Sequence, residues 1–114
     1  MPQPQPQLDR DSTRVDPKHY SVEMENDRVR VVRVRYGPHE KSVMHAHPAS
    51  VLVCLTDAKV RMTYPDGRTE GVEMRAGQTS FGGPEVHLPE NLSDAPFEVI
   101  LIELESQGTR AGDA

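Results

Sequence analysis

Tryptophan is absent from this chain, phenylalanine occurs twice and tyrosine three times. Cysteine occurs once, as Cys54, so no intrachain disulfide can form. It lies in an apolar run, where a lone thiol reads as a small buried hydrophobe rather than a nucleophile. There is no run of about 18 apolar residues and no apolar signal core near the N-terminus. The expectation is therefore a soluble, cytoplasmic protein without a membrane partner. Basic residues are not gathered into a patch with aromatics, and the formal net charge is −5. That balance argues against nucleic acid as a partner. Helical periodicity is also missing: no segment carries a convincing amphipathic helix.

What is present is a series of short, alternating segments. The 114 residues allow one domain. Residues 1–18 are expected to be a disordered arm, because the alternating prolines of residues 1–7 favour a polyproline-like chain and residues 8–18 are charged. Residues 106–114 are expected to be a flexible tail, which leaves residues 19–105 for the folded domain. Within it, Val32, Val34 and Tyr36 alternate with Arg33 and Arg35 in a strand from Val29 to Tyr36. The Val31-Val32 doublet predicts a bulge there. Extended segments follow at Val43 to His47 and at Val51 to Leu55. The second is apolar on both faces, which predicts a central strand. Lys59 to Tyr64 and Thr69 to Arg75 form a hairpin around Pro65-Asp66-Gly67, where glycine can take a positive φ. Gln78 to Phe81, Glu85 to Leu88 and Phe97 to Leu104 complete the set. Pro48, Pro65, Pro84, Pro89 and Pro96 fall between the strands, where proline is tolerated. Eight such strands separated by turns predict an all-β barrel or sandwich.

Chemistry concentrates on three histidines. His45 and His47 are two residues apart, so on a strand they share a face. His87 sits in a short segment framed by Gly82-Gly83-Pro84 and Pro89. Taken singly, each reads as a surface or satisfied core histidine. Their joint placement on strands supports convergence inside a barrel, with His87 closing the site across the lumen. Neutral imidazole binds zinc, copper, iron and nickel, and three protein ligands leave positions open for water or substrate. His19, at the edge of the arm, and His39, in the loop from Gly37 to Lys41, are read as outside the site.

These residues resemble the cupins, small jelly-roll barrels with two sequence motifs. The first motif places His-x-His five residues after a glycine; here Gly37 precedes His45 and His47 with seven residues between. In the second, Gly77, Gly82-Gly83-Pro84, His87 and Asn91 match in order, and the His87-to-Asn91 spacing fits, while the usual Pro-x-Gly keeps only its glycine. The resemblance spans residues from about 28 to 105 and implies a double-stranded β-helix and a homodimer, with the first strand pairing across the interface. The glutamate of the first motif would fall at Val51 or Leu52, both apolar, so the implied ligand set is His45, His47 and His87 without a carboxylate.

Three-histidine cupins include β-diketone and thiol dioxygenases that use Fe(II) and O2. The resemblance thus implies one divalent metal ion, Fe(II) before Zn, Ni or Mn, acting with O2 on a small chelating, β-diketone-like substrate. Arg33, Arg35, Arg61 and Arg75 mostly alternate with core residues and so point outward, which makes a thiol substrate, whose carboxylate needs a cation, less attractive than a diketone. The alternative is a non-enzymatic metal- or small-molecule-binding cupin, or a zinc- or nickel-dependent isomerase or hydrolase. No catalytic residue is expected beyond the ligands. Glu85, Phe81 and Met62 are candidates for contacting substrate, with Met44 and Met74 as further lining, although core packing is the plainer reading of Met44, Met62, Met74 and Phe81. Glu85 is also a candidate ligand, against the plainer reading of a solvated carboxylate. Glu90 and Asn91 sit at the mouth or in a loop.

Overall fold

The structure is a computed structural model that describes residues 10–105. One short helix, α1 (Ser12–Val15), precedes nine strands. In chain order the strands are β1 (Tyr20–Glu25), β2 (Val29–Tyr36), β3 (His45–His47), β4 (Ser50–Cys54), β5 (Ala58–Thr63), β6 (Thr69–Met74), β7 (Thr79–Gly82), β8 (Glu85–Asn91) and β9 (Phe97–Leu104). They form two antiparallel sheets, one of five strands in the order β1-β2-β9-β4-β7 and one of four in the order β3-β8-β5-β6. The expected jelly roll is present, but no closed barrel is found. β3 and β7 are only three and four residues long, and no ladder between the named strands joins one sheet to the other.

Alternation puts the core between the sheets. Val32, Val34 and Tyr36 from β2 meet Phe97, Val99 and Leu101 from β9 and Val60 from β5, all buried. The five-stranded sheet is held by an unbroken β2–β9 register from Val29↔Leu104 to Tyr36↔Phe97. The β5–β6 hairpin turns at Gly67 with φ +90°, as the Pro65-Asp66-Gly67 pattern predicts.

Four expectations are corrected. β1 was not anticipated, although Tyr20, Val22 and Met24 alternate with Ser21, Glu23 and Glu25; its neighbourhood of charges masked the period. The bulge lies in β1, where the register jumps from Val22↔Val32 to Met24↔Val31 and leaves Glu23 unpaired. β2 therefore keeps one phase throughout, and Arg30 shares the inward face with Val32. Pro89 lies inside β8 rather than between strands. Its carbonyl accepts from Ser42 N–H at 3.0 Å on the side away from β5, so the missing N–H falls on that side too and the β5 ladder is intact.

The fourth concerns the arm. Residues 1–9 and the tail 106–114 lie outside the described residues, but residues 10–18 are packed. Asp11 caps α1 by accepting from Thr13 N–H at 3.2 Å. The Ala46 N–H donates to the Arg10 carbonyl at 2.8 Å, and Ser12 and Asp16 are buried. The charges that suggested solvation are paired: Asp11 holds Arg30 at 2.6 Å and Asp16 holds His19 at 2.8 Å.

Candidate metal centre

β3 and β8 pair with His45 directly opposite His87 and His47 opposite Glu85. Directly opposed residues share a sheet face with their Cβ atoms about 5 Å apart, and the residue two along the strand sits on that face too. The three rings thus assemble on neighbouring strands of one sheet. This corrects the expectation that His87 closes the site from across the lumen. Ring centroids lie 4.7 Å apart for His45–His47, 5.1 Å for His45–His87 and 5.0 Å for His47–His87. One nitrogen from each lies within 4.8 Å of the others, and no carboxylate among the described residues joins the group.

Burial keeps the imidazoles of His45 and His87 neutral. All three residues are buried, and His45 is fully so. Desolvation first, then the neighbouring His47 and His87, push the His45 pKa down to about 2. Desolvation first, then His47, lower that of His87 to about 3. Neutral imidazole is the ligand form.

The donor atoms are left bare. His45 Nδ1 lies 2.9 Å from the Val43 carbonyl, which can only accept, so Nδ1 carries the proton and Nε2 the lone pair. That Nε2 is buried without a hydrogen-bond partner, and so is His87 Nδ1. Glu85 Oε1 is 3.0 Å from His87 Nδ1 but out of line for a hydrogen bond. Buried polar atoms without partners are rare in folded proteins. Two of them aimed into one cluster fit a divalent ion, and the three-nitrogen donor set suits iron, zinc or nickel.

Behind the three histidines stand groups the sequence reading missed. Glu103 Oε2 lies 3.5 Å from His47 Nδ1, while Glu103 Oε1 is held by Arg30 at 2.7 Å. The signal was in the alternation: Phe97, Val99, Leu101 and Glu103 share one phase of β9, so the glutamate must point inward. Ser42 Oγ bridges His45 Nδ1 at 3.0 Å to Asp16 at 2.5 Å. Tyr20 crosses from the other sheet, its ring 4.7 Å from His45 and 5.6 Å from His47. Its hydroxyl is 2.6 Å from that of Tyr36. Burial raises the pKa of both phenols, so both are neutral.

A cavity of about 60 Å³ adjoins His87, lined by Leu52, Met62, Met74, Tyr20 and Tyr36 among others. Leu52 occupies a position where the family motif would place its carboxylate. A larger hollow of about 200 Å³ near Arg35 and Pro96 includes none of the histidines and plays no part in the site. Met62 and Met74 line the cavity as expected. Phe81 does not: β7 sets it opposite Val51 on the outer face, 64% exposed. Met44, half-buried, is not among the lining residues. Glu85 sits at the rim with its side chain 45% exposed. His39 is exposed and pairs with Asp94 at 2.6 Å. His19 is buried between Asp16 and Glu40 and stacks on Tyr36 at 4.2 Å, a structural role. Asn91, fully buried, donates to the carbonyls of Gly37 and Ala95 at 3.0 and 2.9 Å and so ties two loops. Glu90, at the end of β8, forms an ion pair of 3.6 Å with Arg61.

A cupin domain from Bordetella pertussis Tohama I superposes with a TM-score of 0.69 at 25% identity, covering 75% of this chain and 90% of that one. The fold is the cupin double-stranded β-helix. A protein with a double-stranded β-helix domain from Klebsiella pneumoniae matches with a TM-score of 0.61 at 20% identity, covering 75% of each chain. An RmlC-like cupin family protein from Methanocaldococcus jannaschii matches at 0.58 and 15% identity, covering 84% of this chain and 90% of that one. No protein-family profile matches the sequence, and no curated protein matches it either. Among the described residues no helix is long and apolar enough to cross a membrane.

Proposed function

We propose that His45, His47 and His87 hold one divalent metal ion, and that the protein is a non-haem Fe(II) dioxygenase for a small, chelating, largely apolar substrate. The observation that carries this reading is the convergence of three buried imidazoles, two of them with an unpartnered ring nitrogen, and no carboxylate in their group. Ferrous iron on such a set keeps its full positive charge, favours an anionic chelate such as a β-diketone enolate, and supplies redox chemistry with O2. The chain's own residues position and exclude. Ser42 and the Val43 carbonyl fix the His45 tautomer, and the Tyr20 ring covers His45 and His47. Leu52, Met62 and Met74 keep the cavity apolar, and since the Tyr20 and Tyr36 hydroxyls bond each other, one of the pair keeps its proton free for a substrate oxygen. Arg30, the one inward arginine on β2, is taken up by Asp11 and Glu103, so β2 offers no free cation for a thiol substrate's carboxylate.

The cavity's size favours a second reading, a binding cupin without turnover, because about 60 Å³ holds a handful of waters rather than a substrate. Metal content of protein purified without an affinity tag, beside His87→Ala, separates the two. Iron near one per chain, lost in the variant, with O2 uptake on adding a β-diketone, is the expected result. Zinc at full occupancy with no O2 uptake moves the assignment to the binding reading. No metal in either protein after reconstitution removes the metal site altogether.

A further inference from the structure

A histidine that ligates a metal through one ring nitrogen ordinarily donates its other N–H to a fixed acceptor, which sets the angle of the ring and its strength as a ligand. His45 has such a chain of acceptors, and it runs out of the two sheets to the segment just after α1. Its Nδ1 lies 2.9 Å from the Val43 carbonyl and 3.0 Å from Ser42 Oγ. Ser42 Oγ in turn lies 2.5 Å from Asp16 Oδ2. A carboxylate accepts, so the hydroxyl gives its proton to Asp16 and turns a lone pair towards the imidazole. The Nδ1–H of His45 then has two acceptors, and Nε2 is the nitrogen left without a partner.

Both members of this chain are held in place. Asp16 is buried, and its two oxygens face His19 Nδ1 at 3.0 and 2.8 Å. Its backbone carbonyl accepts from the Tyr20 N–H at 3.1 Å, at the start of β1. His19 is anchored on its far side by Glu40 at 2.9 Å and stacks on Tyr36. Ser42 is buried too, and its N–H donates to the carbonyl of Pro89 on β8, the strand that carries His87. A serine hydroxyl rotates to suit its partners, so the fixed carboxylate decides where this one points. A short bond to a charged acceptor is also among the stronger kinds.

The other two histidines are backed less firmly. Glu103 Oε2 stands 3.5 Å from His47 Nδ1, at the outer limit of a hydrogen bond, and Arg30 takes its other oxygen at 2.7 Å. Glu85 is out of line with His87, and its side chain is 45% exposed. Among the described residues, His45 alone has a short path to a buried carboxylate.

We propose, resting on the metal reading above, that Asp16 and Ser42 are positioning residues for the metal. Asp16 orients the Ser42 hydroxyl, and the two together fix the His45 ring, aim Nε2 into the site and make it a stronger donor. The ligand set lacks a carboxylate, and Leu52 occupies a position where the family motif would place one. Negative charge reaches the site from behind instead, from a residue that precedes the first strand. Removing such a partner costs 10- to 100-fold in metal affinity as an order of magnitude.

The test is the affinity of the full chain for Co(II) by chelator competition, with the visible spectrum recorded and the melting of the metal-free protein measured alongside. Ser42→Ala and Asp16→Asn are each expected to bind at least about tenfold more weakly at unchanged stoichiometry, with altered absorption bands. The double variant loses little more than either alone, because both substitutions cut one chain of hydrogen bonds. Ser42→Thr, which keeps the hydroxyl, restores affinity and spectrum. A role confined to tying the segment after α1 to the sheets gives a different result: a lower metal-free melting temperature with affinity and spectrum unchanged. That outcome overturns the inference and leaves the metal reading intact. So does a Ser42→Thr variant that binds as weakly as Ser42→Ala, and so do losses that add in the double variant. Absence of Co(II) binding by the wild type overturns the metal reading and this inference with it.

Discussion

At the scale of single residues the site is an arrangement of suppressed charge. His45 and His87 stay neutral to about pH 2 and 3 in the folded protein, whereas an unfolded histidine takes up its proton near pH 6.5. The unfolded chain therefore binds more protons below pH 6.5, and stability falls with pH there. The contribution is complete above pH 6.5 and is lost progressively as the pH drops from 6.5 towards 3. Each group adds a limiting slope of about 1.4 kcal/mol per pH unit. Urea denaturation of the metal-free protein at several pH values should show this slope, and a His45→Asn/His87→Asn variant should be visibly flatter. A slope unchanged in the variant would assign the acid sensitivity elsewhere. The histidine pair was legible at this scale because i and i+2 on a strand share a face by local geometry alone. Glu103 was legible in principle, from its phase with Leu101. Ser42 and Asp16 were not, because the contact joins a loop to a helix by side chains with no common period.

At the scale of elements the strands fall largely where alternation predicts them, and β2 and β9 match from end to end. Turn chemistry was readable too. Gly67 holds φ +90° with open space around the missing Cβ, so Gly67→Ala meets no clash and its cost is backbone strain alone. A loss of about 1–2 kcal/mol is expected, measured as a lower denaturation midpoint with an unchanged slope. The joint between α1 and the five-stranded sheet is the less readable element. It depends on Arg30, whose side chain is 16% exposed and which is shared between Asp11 and the buried Glu103. Arg30→Met leaves a carboxylate buried without its partner and should cost about 3–5 kcal/mol. Thermal unfolding would reveal it, and a change below about 0.5 kcal/mol would mean Glu103 is solvated or protonated in the variant.

At the scale of the whole molecule the two sheets bring together what the chain keeps apart. A bound metal stabilises only the assembled site, by about 2.7 kcal/mol when free metal is a hundredfold above its dissociation constant. Chelation of the loaded protein should lower its melting temperature correspondingly, and the same treatment of His87→Ala should change nothing. By itself the sequence determined the all-β class, most of the strands, the hairpin at Gly67 and the identity of the three histidines. Those features follow from period-2 alternation and turn residues, which act over a few neighbours. Only the tertiary structure decided that His45 faces His87 within one sheet, that Phe81 points outward while Met62 and Met74 line the cavity, and that residues 10–18 pack behind the histidines instead of trailing in solvent. Each depends on the register or docking of elements far apart in the chain. A shift of one residue in such a register turns every side chain to the opposite face, and nothing local to either strand encodes which of the two faces wins.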